Sequence, residues 1–437
     1  MPASTALLTD QYEITMLQAA LRSGRASVRS TFEVFARRLP DGRRYGVVAG
    51  TGRVLDAIAD FRFGADELEW LGASRVVDSA TLDWLADYRF RGHVDGYAEG
   101  DAYFPGSPVL VLEGTFAECV VLETLVLSIL NHDCAVASAA SRMVSASGDR
   151  PCMDFGSRRT HEQAGVAAAR AAYVAGFAST SNLEAGRAHG IPTVGTSAHA
   201  FTLLHGDERE AFSAQVASLG THTTLLVDTY DTEQGIRNAV EVAGTGLGAI
   251  RLDSGDLGQE ARDARTLLDS LGAEKTKIVV TSDLDEYAIA ALQGAPVDAY
   301  GVGTNLVTGS GAPTAGFVYK LVARALDDAF DAPLLPVAKK SAHKGSRGGR
   351  PTAVRRIDAS GVAAAEVVQR AGHPDAPLSA GPHDRPLLVP LVRRGEQVER
   401  RGLAEAREQH KRAMEELPPD ACRLSRGEPV IDTLYES

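Results

Sequence analysis

Between residues 190 and 323, short β-branched runs alternate with amphipathic segments. The runs "IPTVG", "TTLLV", "GAIRL", "KIVVT", "DAYGV" and "GFVYKLVA" read as strands. The intervening "TEQGIRNAVEVA", "GQEARDARTLLDSLG" and "LDEYAIAALQG" repeat apolar residues at three and four and read as helices. Strand and helix in alternation mean parallel βα units, hence an open doubly wound sheet or a (β/α) barrel, with the barrel preferred. Each strand hands over at its carboxyl end to polar turn residues: "GTSAH", "DTYDT", "DSGDL", "TSDLDE", "GVGTN". Ligands bind at that end in both folds, so these five loops are expected to share one mouth.

The flanks differ in texture. Upstream, "FAECVVLETLVLSILNHDCAVASAASRMV" predicts one long buried helix and "THEQAGVAAARAAYVAG" a second. Earlier still, "STFEVFARR", "RYGVVAG" and "SPVLVLEG" are strand candidates in a mixed α+β piece. Downstream, the Gly-rich basic tract 338–356 reads as a mobile loop and 400–416 as a charged surface helix. The pattern divides the chain into three parts. Residues 1–113 form an N-terminal α+β domain completed by C-terminal segments, 114–345 form an α/β barrel carrying the active site, and 346–437 form a C-terminal segment.

Charge and composition narrow the partners. The 437 residues carry a formal net charge of −12, which gives no basic face for nucleic acid or an anionic membrane, although a local pocket for a small phosphate stays open. The N-terminus lacks the basic start and apolar core of a signal peptide. The run "VVLETLVLSIL" is interrupted by Glu123 and is too short to span a bilayer. The expectation is a soluble cytoplasmic chain with no membrane partner. Its four cysteines have neither metal-site nor disulfide spacing. No GxGxxG follows a strand and no GxxxxGK[ST] occurs, which argues against a dinucleotide or Walker site.

The chemistry-bearing residues lie in the strand-end loops. In "RLDSGDL" two carboxylates beside a glycine can hold a divalent cation or accept from sugar hydroxyls. Asp256, three before Gln259, fits a helix cap, which leaves Asp253 to face a ligand. Arg251 shares a strand face with Asp253, either as a fork for a planar carboxylate or as half of an internal Arg–Asp pair. In "DFGSRRTH" an aromatic ring and two arginines open a helix, where free N–H groups favour anions; core packing and a solvated face are the alternative. "YGVGTN" offers a phosphate nest or an ordinary tight turn. Asp283, three before Glu286, is assigned to capping. His199 follows Gly195, Thr196 and Ser197, so it is either a structural histidine or one that meets a phosphate as proton donor or nucleophile.

Taken together, "LLTDQYEITM", "DFGSRR", "TSNLEAGRAHGIPTVGTSAHAF", "AIRLDSGDL" and "YGVGTNLVT" followed by "YKLV" occur in that order. On these motifs the chain resembles the nicotinate phosphoribosyltransferases from residue 7 to about 345. The resemblance implies a type II phosphoribosyltransferase-like α/β fold: an N-terminal α+β domain packed on an irregular (β/α) barrel, working as a homodimer with shared active sites. It implies transfer of phosphoribose from 5-phosphoribosyl 1-pyrophosphate to nicotinate. The implied cofactor is Mg²⁺, with ATP as co-substrate hydrolysed through a phosphohistidine at His199. By the same resemblance Asp253 is catalytic; Tyr12, from the partner subunit, and Phe155 stack on the pyridine ring; and Arg158, Thr196 and Arg251 hold nicotinate. Asp228, Gly303, Thr304 and Thr308 bind phosphoribosyl pyrophosphate, with Asp228 and Asp253 as ligands of Mg²⁺. The nicotinamide-using relatives carry an acid at the place of Ser181, which an amide would favour and a carboxylate would not. Lys339, Ser341 and Lys344 keep the pattern of the family's basic loop, but the Pro-Gly that normally follows is replaced by "GSRGGRP". Two rival readings are a nicotinamide phosphoribosyltransferase and a non-catalytic phosphoribose or nucleotide sensor on the same fold.

Overall fold

A computed structural model describes residues 5–326, 332–339, 345–371, 381, 383–398 and 402–436. The chain forms two compact units, one of Met1–Ala135 with Thr314–Ser437 and the other of Val136–Pro313.

The first unit is built on a seven-stranded antiparallel sheet in which Arg29–Ala36 pairs with Phe317–Ala325 on one side and with the central strand, Leu110–Thr115, on the other. The run "GFVYKLVA", which its place in the alternating region suggests is a further parallel strand, is therefore an antiparallel strand of this unit. No helix returns it to the parallel sheet, so the chain is free to pair with a strand nearly three hundred residues earlier. Phe32 and Tyr319 stack across this ladder at 4.9 Å. Behind it lies the core of Val34, Leu110, Leu112 and Phe317. A buried carboxylate, Glu33, is held bidentately by Arg370, at 2.9 Å on each oxygen.

Two further segments depart from the sequence pattern. The long apolar helix is two helices, Phe116–Val120 and Glu123–Ser147, the first opened by a capping box between Thr115 and Glu118. The stretch Phe116–Ser147 has the length and apolarity of a membrane span, but its Leu125, Val126, Leu130 and Cys134 are core residues. Within the tract 338–356, Arg350–Ile357 is a strand paired with Ala363–Ala371; the alternation in "PTAVRRI" outweighs the basic composition. Ser341 and Lys344 lie outside the described residues. Leu403–Glu416 is a helix, as its charge pattern predicts.

The second unit carries six parallel strands: β1 (Cys152–Asp154), β2 (Ser179–Thr180), β3 (Thr224–Leu226), β4 (Ala249–Leu252), β5 (Lys277–Ser282) and β6 (Ala299–Val302), in the order β2-β1-β6-β5-β4-β3. "IPTVG" contributes only a single parallel bridge, Thr193 to Thr180. Five of the loops that lead into helices end on an Asn or Asp acceptor: Asn182, Asp207, Asp231, Asp256 and Asp285 each take an N–H of the first turn. These caps satisfy donors that the helix itself leaves free. All the strands point the same way, so the loops after them meet at one end.

Candidate active site

Register decides which side chains reach that end. In a parallel ladder paired residues share a face and successive residues along a strand change face. Arg251 pairs with Val279, Thr281 with Gly301, and Gly301 with Met153. One face thus begins with the small cluster Ala249, Val279 and Ala299, against which Met153 packs, and rises to Arg251, Thr281 and Gly301. Asp253 and Phe155 follow just past their strands. The other face carries Ile250, Leu252, Ile278, Val280, Tyr300 and Val302, all buried.

Above the first face is a cavity of about 520 Å³. Its lining draws Phe155 and Arg158 from the loop after β1, Ser181 from that after β2, and Thr196 from "GTSAH". Arg251 and Asp253 come from β4 and its end, and Gly303 and Thr304 from the loop after β6. The ring of Phe155 lies on Gly301, where a side-chain carbon would fall 2.6 Å from it; the N–H of Phe155 donates to the Val302 carbonyl at 2.8 Å.

Two arginines and an aromatic ring therefore face the same space. Burial makes protonation of Arg251 less favourable; Asp253 and Asp228 oppose this and Arg158 adds to it. The Nε of Arg251 is buried with no acceptor among the described residues. Arg251 and Asp253 share the face that the two-residue period assigns them. They do not form a hydrogen-bonded pair, because Asp253 instead accepts from the Thr281 hydroxyl at 2.5 Å.

His199 opens the helix His199–Leu204. Its Nδ1 lies 3.1 Å from the Thr229 hydroxyl and its Nε2 3.8 Å from Asp253. Asp228 accepts the backbone N–H of Asp253 at 2.7 Å and the Ser254 hydroxyl at 2.9 Å. Its other oxygen is buried without a donor among the described residues. His199, Asp228 and Asp253 are thus one connected group beside the cavity.

Other residues singled out from the sequence take different places or roles. The Thr308 hydroxyl donates to the Thr304 carbonyl at 2.8 Å and is not part of the lining. Tyr12 belongs to the first unit, on the helix Gln11–Arg22, where it is 46% exposed; burial and the neighbouring Glu123, Glu13 and Asp10 push its phenol up to about 12. Asp256 caps its helix through the N–H of Gln259 at 3.1 Å, as its spacing predicts. Asp283 does not cap. Asp285 takes the N–H groups of Tyr287 and Ala288, and Asp283 is turned to the cavity. Two aspartates two residues apart compete for the cap, and the Asp-x-x-Glu spacing selects the wrong one.

Residues 7–131 match the nicotinate phosphoribosyltransferase (NAPRTase) N-terminal domain. A nicotinate phosphoribosyltransferase of Mycobacterium tuberculosis is 59% identical over 435 residues, covering 98% of this chain and 94% of that protein. The chain belongs to the nicotinate phosphoribosyltransferase family. A second family member, from Bacillus subtilis, is 38% identical across 73% of this chain and 67% of its own length. The crystal structure of human nicotinic acid phosphoribosyltransferase superposes with a TM-score of 0.82 at 25% identity, covering 98% of both chains. The fold is thus the type II phosphoribosyltransferase fold, its parallel sheet forming a half-barrel in the second unit.

Arg159, the second arginine of "DFGSRRTH", and Gly301, the first glycine of "YGVGTN", line the cavity with their neighbours, whereas Thr281 and Thr229 join the site although the sequence assigns them no role in it. The phase of the β4 and β6 strands could have nominated Gly301, since it falls two before Gly303 on the same face.

Proposed function

We propose that the chain transfers phosphoribose from 5-phosphoribosyl 1-pyrophosphate to the ring nitrogen of nicotinate, giving nicotinate mononucleotide and pyrophosphate as a salvage step of NAD synthesis. The observation that carries this reading is the convergence of Phe155, Arg158 and Arg251 on one cavity with Asp253. A flat ring and two guanidinium forks suit an aromatic carboxylate. Ser181 supports the acid over the amide, since a carboxylate side chain in its place would repel nicotinate.

In this mechanism Phe155 stacks on the pyridine and the arginines bind its carboxylate, beside Thr196. The ring nitrogen is held toward C1 of the ribose. The new C–N bond forms as the C–O bond to pyrophosphate breaks, through an oxocarbenium-like state. Gly303 and the N–H groups at Thr304 receive the 5′-phosphate, and Asp253 is placed for the ribose hydroxyls.

The donor set suits a magnesium ion. One oxygen of Asp228 is buried with no donor among the described residues while the other accepts the Asp253 N–H, and Mg²⁺ takes one or two carboxylates with the rest from water and substrate phosphates. No group of three or more potential metal-holding side chains occurs among the described residues, so Asp228 and Asp253 would hold the ion only together with substrate. Bound there, it would neutralise charge on the departing pyrophosphate.

His199 takes the γ-phosphoryl group of ATP: an N–P bond forms, the P–O bond to ADP breaks, and water later hydrolyses the phosphohistidine. The dianion so formed stands next to Asp253 and repels it, which changes the loop that meets the phosphoribosyl donor. The enzyme acts in the cytoplasm as a homodimer in which Tyr12 of the partner subunit completes the ring-stacking site; the exposure of that tyrosine supports this.

Product formation tests the reading. Purified protein with phosphoribosyl pyrophosphate and Mg²⁺ is given nicotinate or nicotinamide, each with and without ATP. Mononucleotide from nicotinate, stimulated by ATP, is expected. Preference for nicotinamide refutes the substrate assignment, and no product from either base favours the sensor reading.

A further inference from the structure

The sheet face opposite the cavity is apolar at Leu252, Val280 and Val302, but Asp154 breaks that pattern. Asp154 pairs with Val302 on one side and Thr180 on the other, so its side chain belongs to that buried face. It is 1% exposed, and among the described residues no ion pair reaches it. Burial raises its affinity for a proton, opposed only by two hydrogen bonds. A carboxylate in such a place is costly, so its contacts show what it does for the fold.

Those contacts link the two loops that carry the ring clamp. One oxygen accepts the Gly156 N–H at 2.7 Å, fixing the turn between Phe155 and Arg158. The other accepts the Thr180 hydroxyl at 2.7 Å. The same hydroxyl accepts the Asn182 N–H at 3.0 Å, and the Asn182 amide reaches back to the Ser157 hydroxyl at 3.1 Å. The main-chain carbonyl of Asp154 takes the N–H of Ser181 at 2.8 Å. The ring of hydrogen bonds closes through Asp154, Thr180, Asn182 and Ser157. It encloses Gly156, and Phe155, Arg158 and Ser181 project from it into the cavity.

We propose that Asp154, acting through Thr180 from behind the cavity wall, is a positioning residue that holds the Phe155–Arg158 loop in register with Ser181 and so sets the preference for a carboxylate over an amide on the pyridine ring. Asp154 touches no substrate. It fixes the distance between the groups that bind the carboxylate and the small residue that leaves room for it. A shift of either loop would weaken the arginine contacts to nicotinate while leaving the amide, which depends less on them, comparatively unaffected. The inference rests on the nicotinate reading of the cavity.

Because removing a buried acceptor can block folding, Thr180→Val and Thr180→Ser carry the test, with Asp154→Asn as a third variant. KM and kcat are measured for nicotinate, nicotinamide and phosphoribosyl pyrophosphate in the full chain. Thr180→Val keeps the volume and loses both hydrogen bonds. Its KM for nicotinate is expected to rise about tenfold, as for one lost hydrogen bond to a charged group, with kcat and the KM for phosphoribosyl pyrophosphate little changed. The ratio of nicotinate to nicotinamide kcat/KM falls accordingly, and Thr180→Ser restores it. Asp154→Asn, if it folds, moves the ratio in the same direction. An unchanged ratio in Thr180→Val, or equal losses for both bases and the phosphoribosyl donor, overturns the positioning role while leaving the nicotinate reading intact. If the unsubstituted chain makes no mononucleotide from either base, both fall together.

Discussion

Gly301→Ala adds one methyl group at the floor of the cavity, and the structure states what that methyl meets. A side-chain carbon on Gly301 falls 2.5 Å from Thr281 Cγ2 and 2.6 Å from two ring carbons of Phe155. Carbon atoms rest at about 3.5–4.0 Å, so the neighbours must retreat by about 1 Å. The backbone of Gly301 cannot make room, because it is laddered to Thr281 on one side and Met153 on the other. Thr281 is tied to Asp253 by its hydroxyl, which leaves the Phe155 ring to move. Overpacking of this kind costs about 1–3 kcal/mol of stability. Misplacing a group that orients substrate by about 1 Å can cost about a hundredfold in rate. The expected result is therefore a folded enzyme whose kcat/KM for nicotinate drops between tenfold and a hundredfold, roughly the range set by that displacement, while its KM for phosphoribosyl pyrophosphate changes little. Replacing Phe155 by Leu in the same chain should relieve part of the lost stability in urea denaturation without restoring activity. Unaltered kcat/KM in Gly301→Ala would show that the ring does not bear on the substrate and would refute the clamp.

Three further outcomes follow from other contacts. His199→Ala should abolish ATP hydrolysis and its stimulation of product formation, with slow ATP-independent transfer retained, as read by ADP and mononucleotide release in parallel; coupled hydrolysis surviving in that variant contradicts the phosphohistidine. Asp256→Ala should lower stability by about 1 kcal/mol through loss of the cap on Leu257–Ser270, yet leave the KM for nicotinate unchanged; a raised KM would mean that Asp256, not only Asp253, meets ligand. Burial lowers the pKa of His410 from 6.5 to about 4. The unfolded chain therefore binds the extra proton first, and the stability that this neutral histidine contributes is complete above pH 6.5 and lost as the pH falls toward 4. His410→Gln should flatten the fall of the urea midpoint over that window, and an equally steep fall in the variant contradicts the assignment.

Local signals in the sequence account for much of the site. The period of two along "AIRLDS" puts Arg251 and Asp253 on one face, and both line the cavity. The spacing of Asp256 to Gln259 identifies a cap. What stayed hidden depends on which strands are neighbours. Phe155 rests on Gly301 only because β6, last in the chain, lies beside β1, first in the chain. Thr281 reaches Asp253 only because β5 adjoins β4, and Asp154 meets Thr180 only because β2 closes the other side of β1. Order of this kind is set by packing across the whole sheet and leaves no mark on a ten-residue window. The same holds in the first unit, where Phe317–Ala325 finds Arg29–Ala36 as its partner. Thr308 shows a different limit, since a hydroxyl one turn from a phosphate-type loop can as easily bond back to its own helix.

The central claim is that the second unit's cavity holds the pyridine carboxylate between Arg158 and Arg251 with the ring on Phe155. A crystal structure of the protein with nicotinate mononucleotide tests it most directly. The account predicts the carboxylate within hydrogen-bond distance of those guanidinium groups, the ring stacked on Phe155, and the 5′-phosphate at Gly303 and Thr304. A mononucleotide bound in another place, or bound here with its phosphate on the arginines and its ring turned away from Phe155, would contradict it.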